Sequence, residues 1–287
     1  MGKKVLLLLM ALMLVFSVSA CTPDADVPGD DDVVNGEEQT ENGDRETSLG
    51  DAETVAEGKF TVGFDQNFPP MGFIGDDGEF TGFDLELAAE VADRLGLELD
   101  LQPIAWDAKD MELSTKNIDC IWNGFTMNGR EDLYTWTDPY MANNQVFVVR
   151  KDEGITTFDD LAGKTVIVQV DSSAEAALED RPELVETFGD YITAADYDVA
   201  LMDLESGAVD AVAMDDTFAN YYIEKGGDNL TVLEEMLAPE DYGVGFLLGN
   251  EALRDVVQEI LEEMAADGTM AAISEKWFGK DITTIGK

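Results

Sequence analysis

The chain has 287 residues, with 17 Lys and Arg against 62 Asp and Glu, a formal net charge of −45, and no His. Such acidity argues against nucleic-acid binding, which needs Lys and Arg for the phosphates, and against docking on anionic lipid through a basic patch. The missing His removes His-based triads, most zinc sites and the usual proton shuttle, while two Cys, Cys21 and Cys120, supply neither a disulfide framework nor a four-Cys metal site.

The chain opens on Lys3 and Lys4, followed by an apolar run from Val5 to Val18 and then small residues. This is the charged and apolar pattern of a secretory signal, and the run is short for a membrane span, which needs about 20 residues. It ends in Val18-Ser19-Ala20-Cys21, which resembles a bacterial lipobox. That resemblance implies a signal peptide over 1–20, a lipid on Cys21, and a protein anchored outside the cytoplasmic membrane. The alternative is an ordinary signal peptide with an incidental Cys.

Residues 22–58 hold 13 Asp and Glu and one Arg. With few apolar residues such a segment buries too little surface to offset its ordering entropy, so 21–57 reads as an acidic, disordered tether. From residue 59 onward the chain still carries 49 acidic and 14 basic residues. Hydrophobic residues nevertheless make up 45% of the whole, a globular composition, and the length predicts about two domains.

In the folded part, Lys59–Asp65 alternates as a strand that stops at Phe68-Pro69-Pro70. Leu87, Ala88, Val91 and Leu95 recur at helical spacing before Gly96. Strand Glu98–Ile104, a polar helix from about Asp107 to Lys116 with Asn117 as its left-handed stop, and strand Ile118–Trp122 follow. This strand–helix–strand–helix–strand order predicts a parallel α/β sheet. The pattern then restarts: strand Thr165–Val170, a helix after Ser172-Ser173, helix Val199–Ser206, strand Asp210–Met214, helix Thr217–Lys225 and strand Leu230–Leu233. Tyr242–Leu248 alternates, and Leu253, Val256, Val257, Ile260, Leu261 and Met264 make a long amphipathic stripe. Two chain crossings between two such units would form a hinge with a cleft between lobes. The boundaries expected are 58–147 with 243–287 for lobe 1, and 148–242 for lobe 2. Cys120 reads as a buried small hydrophobe.

Gly82-Phe83-Asp84-Leu85-Glu86-Leu87-Ala88 resembles the signature of bacterial extracellular solute-binding proteins of the polar amino-acid type (family 3), which serve ABC importers. Further segments match in order: Phe68-Pro69-Pro70; Asn117-Ile118-Asp119 with Asn123-Gly124-Phe125-Thr126; Thr135-Trp136-Thr137-Asp138-Pro139-Tyr140; Leu161-Ala162-Gly163-Lys164 with Gln169-Val170-Asp171-Ser172-Ser173; Val209 to Asp215; and Glu275-Lys276-Trp277-Phe278-Gly279. The resemblance covers about residues 58–280. It implies an α/β, two-lobe periplasmic-binding-protein-like (type II) fold, with a two-strand hinge and a ligand cleft between the lobes.

The resemblance also implies site residues. Arg130 holds the ligand carboxylate, for which a guanidinium fork is suited, although the run from Thr126 to Arg130 is one residue shorter than the common pattern. Thr126 shares the carboxylate through its N–H and hydroxyl, and Ser173 offers its N–H at a helix start. The Gly124 carbonyl and Asp215 receive the ammonium, with Asp216 left as structure or helix cap. Phe68 and Trp106 sandwich the ligand side chain, whereas Trp122 reads as core. Asn123 and Gln169 read the side chain, and Asp171 either contacts it or is solvated. The expected partners are a free L-amino acid and the permease, with the membrane reached only through the N-terminal lipid. The protein is expected to be a monomer without cofactor, metal or catalytic residues. The alternatives are an extracellular dehydratase of aromatic amino-acid precursors on the same fold, and a sensory ligand-binding protein.

Overall fold

The computed structural model describes residues 49–287; the expected signal peptide, Cys21 and residues 22–48 lie outside the described residues. Two five-stranded sheets organise the described chain. The first runs, edge to edge, through Glu98–Pro103, Lys59–Phe64, Cys120–Ile121, Gly245–Leu247 and Tyr134–Trp136. The second runs through Asp190–Ala194, Thr165–Gln169, Ala211–Asp215, Met141–Arg150 and Leu230–Tyr242. Each sheet combines parallel pairs with antiparallel strands contributed by the chain crossings, giving the expected α/β, two-lobe fold. A small third sheet of three strands, Asn67–Phe68, Gly72–Ile74 and Phe80–Thr81, sits beside the first.

Val146 to Val149 form a run buried throughout, because this strand lies inside a sheet covered on both faces. Helix Phe83–Leu95 packs Leu87, Ala88 and Val91 into the core and stops at Gly96 in the left-handed conformation. Its start needs Gly82, since a Cβ there would lie 2.1 Å from the Met71 carbonyl oxygen. The polar helix resolves into a 3-10 turn, Trp106–Ala108, and a short helix, Lys109–Ser114. The left-handed residue after it is Lys116, φ 59°, one position before the expected Asn117. The long stripe forms helix Glu251–Asp267.

The last part of the expected tether is packed rather than loose. Ala52 is buried, and the Val55 N–H donates to Asp119 Oδ1 at 2.6 Å while the Thr61 N–H donates to Asp119 Oδ2 at 2.7 Å. One buried carboxylate thus ties the chain before the first strand to that strand's own backbone. Cys120 is fully buried, and burial pushes its thiol pKa up. Among the described residues, no helix is long and apolar enough to cross a membrane.

The hinge strands Met141–Arg150 and Leu230–Tyr242 pair antiparallel, with Tyr242 opposite Met141 and Leu230 opposite Arg150. The chain leaves the first sheet after Trp136 and returns to it at Gly245. Both crossings therefore sit side by side, joined by the Tyr140 N–H donating to the Tyr242 carbonyl at 2.9 Å.

Candidate functional site

A narrow, nearly closed cavity of about 10 Å³ lies between the two sheets, lined by Asp65, Phe68, Trp106, Asn123, Gly124, Gln169, Ser172, Ser173 and Asp215. Most of these residues end a strand or begin a helix, the usual place for a ligand in open α/β sheets. Seven were singled out in the sequence: Phe68, Trp106, Asn123, Gly124, Gln169, Ser173 and Asp215. Asp65 and Ser172 were not, and Thr126 and Arg130 stand at the edge rather than in the wall.

The first lobe supplies the loop Asn123–Thr126. Asn123 is buried, and its Oδ1 accepts the Asp65 N–H at 3.0 Å. Its Nδ2 has no hydrogen-bond partner among the described residues. Gly124 has φ +56°, and a Cβ there would meet the Phe68 ring at 2.9 Å, so the loop can approach the cavity only as glycine. The Gly124 N–H is held by Asp84 Oδ2 at 2.6 Å, and the same oxygen accepts the Tyr140 hydroxyl at 2.8 Å. Asp84 comes from the signature helix and is fully buried; burial raises its pKa to about 7, against the lowering effect of these two donors.

Phe68 meets Phe218 edge-on, centroids 5.4 Å apart, and Tyr197 at 6.1 Å. Both partners belong to the second lobe, so Phe68 is cavity wall and interlobe packing at once. Trp106 packs edge-on against Phe125 at 5.5 Å. Trp122 is fully buried as core.

The second lobe supplies Gln169, Ser173 and Asp215. Gln169 Nε2 donates to Asp65 Oδ2 at 3.1 Å and to the Ala195 carbonyl at 3.2 Å. Asp65 also accepts the Asn67 N–H at 2.9 Å; burial pushes its pKa up, with Asp196 and Asp198 adding to the rise and these two donors opposing it. Ser173 opens helix Ser173–Glu179, capped by the Ser172 hydroxyl accepting the Glu175 N–H. Its own hydroxyl donates to Thr126 Oγ1 at 2.6 Å and accepts from Arg130 Nη1 at 3.1 Å. Asp215 is buried and accepts from the Tyr242 hydroxyl at 2.6 Å and Asn143 Nδ2 at 3.1 Å. Burial and the neighbouring Glu240 raise its pKa well above the usual carboxylate range. Asp216 lies in the first turn of the next helix, where its Oδ1 accepts from Asn220 Nδ2.

Arg130 stacks over Phe125, 5.5 Å from the ring centroid. Among the described residues its partners are neutral oxygens: the Thr126 carbonyl at 3.3 Å, Ser173 Oγ at 3.1 Å and the Asp171 carbonyl at 3.4 Å. Glu131 and Asp132, the surface partners otherwise open to it, are not among them. Asp171 holds neither solvent alone nor the cavity: its carboxylate pairs with Lys109 Nζ from the first lobe. Lys109 also lies 5.1 Å over the Trp106 ring. Neither Lys109 nor Glu240 stands out in the sequence, since a Lys on a polar helix and a Glu in an acidic run look like surface.

The family model for bacterial extracellular solute-binding proteins, family 3, matches residues 60–280. The L-cystine-binding protein TcyJ of Escherichia coli (strain K12) is 37% identical over 229 residues, covering 79% of this chain and 85% of its own. The L-cystine-binding protein TcyA of Bacillus subtilis (strain 168) is 31% identical over 231 residues, covering 79% and 84%. Among solved structures, an ABC uptake transporter substrate binding protein from Streptococcus pneumoniae with bound histidine superposes with a TM-score of 0.77 at 36% identity, covering 80% of this chain and 96% of its own.

Proposed function

The chain belongs to the bacterial extracellular solute-binding proteins, family 3, and from that premise we propose that it binds a free polar L-amino acid between its lobes and delivers it to an ABC importer permease. A lipid on Cys21 would hold it at the outer face of the cytoplasmic membrane. One observation carries the ligand class. Among the described residues, a guanidinium bonded only to neutral groups, Arg130, stands at one side of the cavity, and a buried carboxylate without an ion pair, Asp215, stands in its wall. A zwitterion with a carboxylate and an ammonium satisfies both.

In this reading Arg130, Thr126 and Ser173 take the carboxylate. Asp215 and the Gly124 carbonyl take the ammonium. Phe68 and Trp106 flank the side chain, and its polar atoms meet Asn123 Nδ2, Gln169 and Asp65. Binding favours the closed arrangement because the groups that grip the ligand come from both lobes, so only the closed form makes all the contacts. The wall groups Phe68, Asn123 and Gly124 come from the first lobe, and Gln169, Ser173 and Asp215 from the second. No step of covalent chemistry is asked of these residues, in keeping with relatives that are binding proteins.

The test is a thermal-shift screen of the common amino acids, with L-cystine included because two relatives are cystine-binding proteins. A ligand at 100 times its Kd adds about 2.7 kcal/mol, which at about 2–4 °C per kcal/mol for a domain of this size raises the melting temperature by about 5–10 °C. If no amino acid shifts it, or if prephenate or arogenate is turned over, the proposal fails.

A further inference from the structure

Behind Asp215 lies a second buried carboxylate, Glu240, which the binding scheme above does not use. The two meet because of register. Strand Ala211–Asp215 and strand Leu230–Tyr242 flank the hinge strand Met141–Arg150 from opposite sides, with Asp215 opposite Gln145 and Glu240 opposite Asn143. Asp215 is 5% exposed and Glu240 4%. One amide serves both: Asn143 Nδ2 donates to Asp215 Oδ1 at 3.1 Å and to Glu240 Oε1 at 2.6 Å. Gln145 Nε2 donates to the same Glu240 oxygen at 2.8 Å, and Thr126 Oγ1 donates to Glu240 Oε2 at 2.7 Å.

Among the described residues, every donor to this pair is neutral. The groups facing it from the surrounding elements are the phenols of Tyr242, on the same strand as Glu240, and of Tyr197, both fully buried and with pKa values pushed up by burial. The cations nearby are engaged elsewhere: Arg130 donates to the Thr126 carbonyl and Ser173, and Lys109 pairs with Asp171. Neither carboxylate has an ion pair among the described residues. Two adjacent carboxylates removed from water and given no cation cannot both ionise cheaply, and the low-cost arrangement leaves the proton on Asp215, whose pKa burial and Glu240 raise.

We propose that Asp215, set beside Glu240, carries a proton before the ligand enters, and that the ligand ammonium, docking on Asp215, displaces that proton to solvent. The balance is one positive charge in and one out. The Asp215 O–H bond breaks, the proton passes to buffer, and the zwitterion keeps its own protons. Glu240 is then a positioning residue that makes amino-acid capture proton-coupled. This rests on the amino-acid reading above, in which Asp215 is the ammonium acceptor.

The experiment is titration calorimetry at pH 7.0 in phosphate and in Tris, with L-cystine and L-arginine as separate probes, on the wild type and Glu240→Gln. Expected is close to one proton released per ligand bound by the wild type and close to none by the variant, which still binds. Wild-type binding with the same heat in both buffers, after dilution heats are removed, overturns the proposal. A second arm needs no ligand. The folded-state pKa of Asp215 is raised, so the stabilisation from its proton is present at low pH and is lost as pH rises through that pKa. The wild-type melting temperature should therefore fall more steeply between pH 5 and 8 than that of Glu240→Gln, and equal slopes overturn the held proton. If neither probe binds while the slopes differ, the ligand reading fails and the held proton stands.

Discussion

Lys109 and Asp171 pair across the cleft, from the short helix of the first lobe to the loop before helix Ser173–Glu179 of the second. The Lys109 side chain is 2% exposed and the Asp171 side chain 51%, so the pair is half screened. In the closed form Lys109 also donates to the Asp171 carbonyl at 3.3 Å and the Trp106 carbonyl at 3.4 Å. Separating the lobes would return the ammonium to water, so losing Asp171's charge penalises the closed form alone. Asp171 has φ 58°, a conformation Asn tolerates, which makes Asp171→Asn a clean charge deletion. We expect ligand affinity to fall about 5- to 30-fold, from a loss of about 1–2 kcal/mol after discounting for the exposed partner. Stopped-flow should place most of that change in the dissociation rate; an unchanged dissociation rate would remove Asp171 from the closure contacts.

Arg130 gives the second prediction. Its guanidinium is positioned by stacking on Phe125 and by the Ser173 hydroxyl rather than by an acid. Truncation to Ala should weaken amino-acid binding at least tenfold, as loss of a charge-assisted pair costs about 1.5–3 kcal/mol. Arg130→Lys should recover only part, because a point charge replaces a planar fork. Calorimetry showing wild-type affinity in either variant would reject the carboxylate role.

The sequence was most legible where local chemistry is strong. The apolar spacing of helix Phe83–Leu95 and the alternation of Lys59–Phe64 carry their own signal, and the loop Asn123–Thr126 stands out as a motif. It was least legible where a residue's role depends on a partner far along the chain. Asp65 reads as the end of a strand, and only the arrival of Gln169 shows that it closes the cavity. Glu240 sits in Ala238-Pro239-Glu240-Asp241, beyond the strand Leu230–Leu233 expected from the sequence. The strand runs on to Tyr242 because it is the outer strand of its sheet, where Pro and acidic residues are tolerated. Its register shifts around Met236 absorb the irregular stretch. The three short strands at 67–81 are two or three residues long, too short for alternation to show.

Asp84 predicts a pH effect on stability. Burial lifts its pKa to about 7, above the ordinary carboxylate value near 4 that it has when unfolded. The folded protein then holds a proton that the unfolded chain gives up. Stability from this group is full below about pH 4 and is lost as pH rises through about 7. Asp84→Asn keeps an acceptor for the Gly124 N–H and removes the titration. We expect the melting temperature of the wild type to drop more than that of Asp84→Asn between pH 6 and pH 8, and parallel curves would contradict it.

The last prediction concerns salt. Residues 59–287 carry 49 acidic and 14 basic side chains, and the ion pairs that do form lie largely at the surface, such as Lys59 with Glu98 and Lys287 with Asp281. Exposed pairs of this kind contribute little, so they do not offset the repulsion among the remaining acids, which favours the expanded chain. Raising ionic strength from about 0.1 to 1 M shortens the screening length from about 10 to 3 Å and weakens both effects, but the repulsive contacts outnumber the attractive ones. The melting temperature should therefore climb steadily with sodium chloride across this range. It should climb less steeply in a variant with several exposed acids, for example Glu131, Asp132, Glu234 and Glu235, changed to their amides. A melting temperature that falls with salt would mean that attractive pairs, not repulsion, dominate the surface.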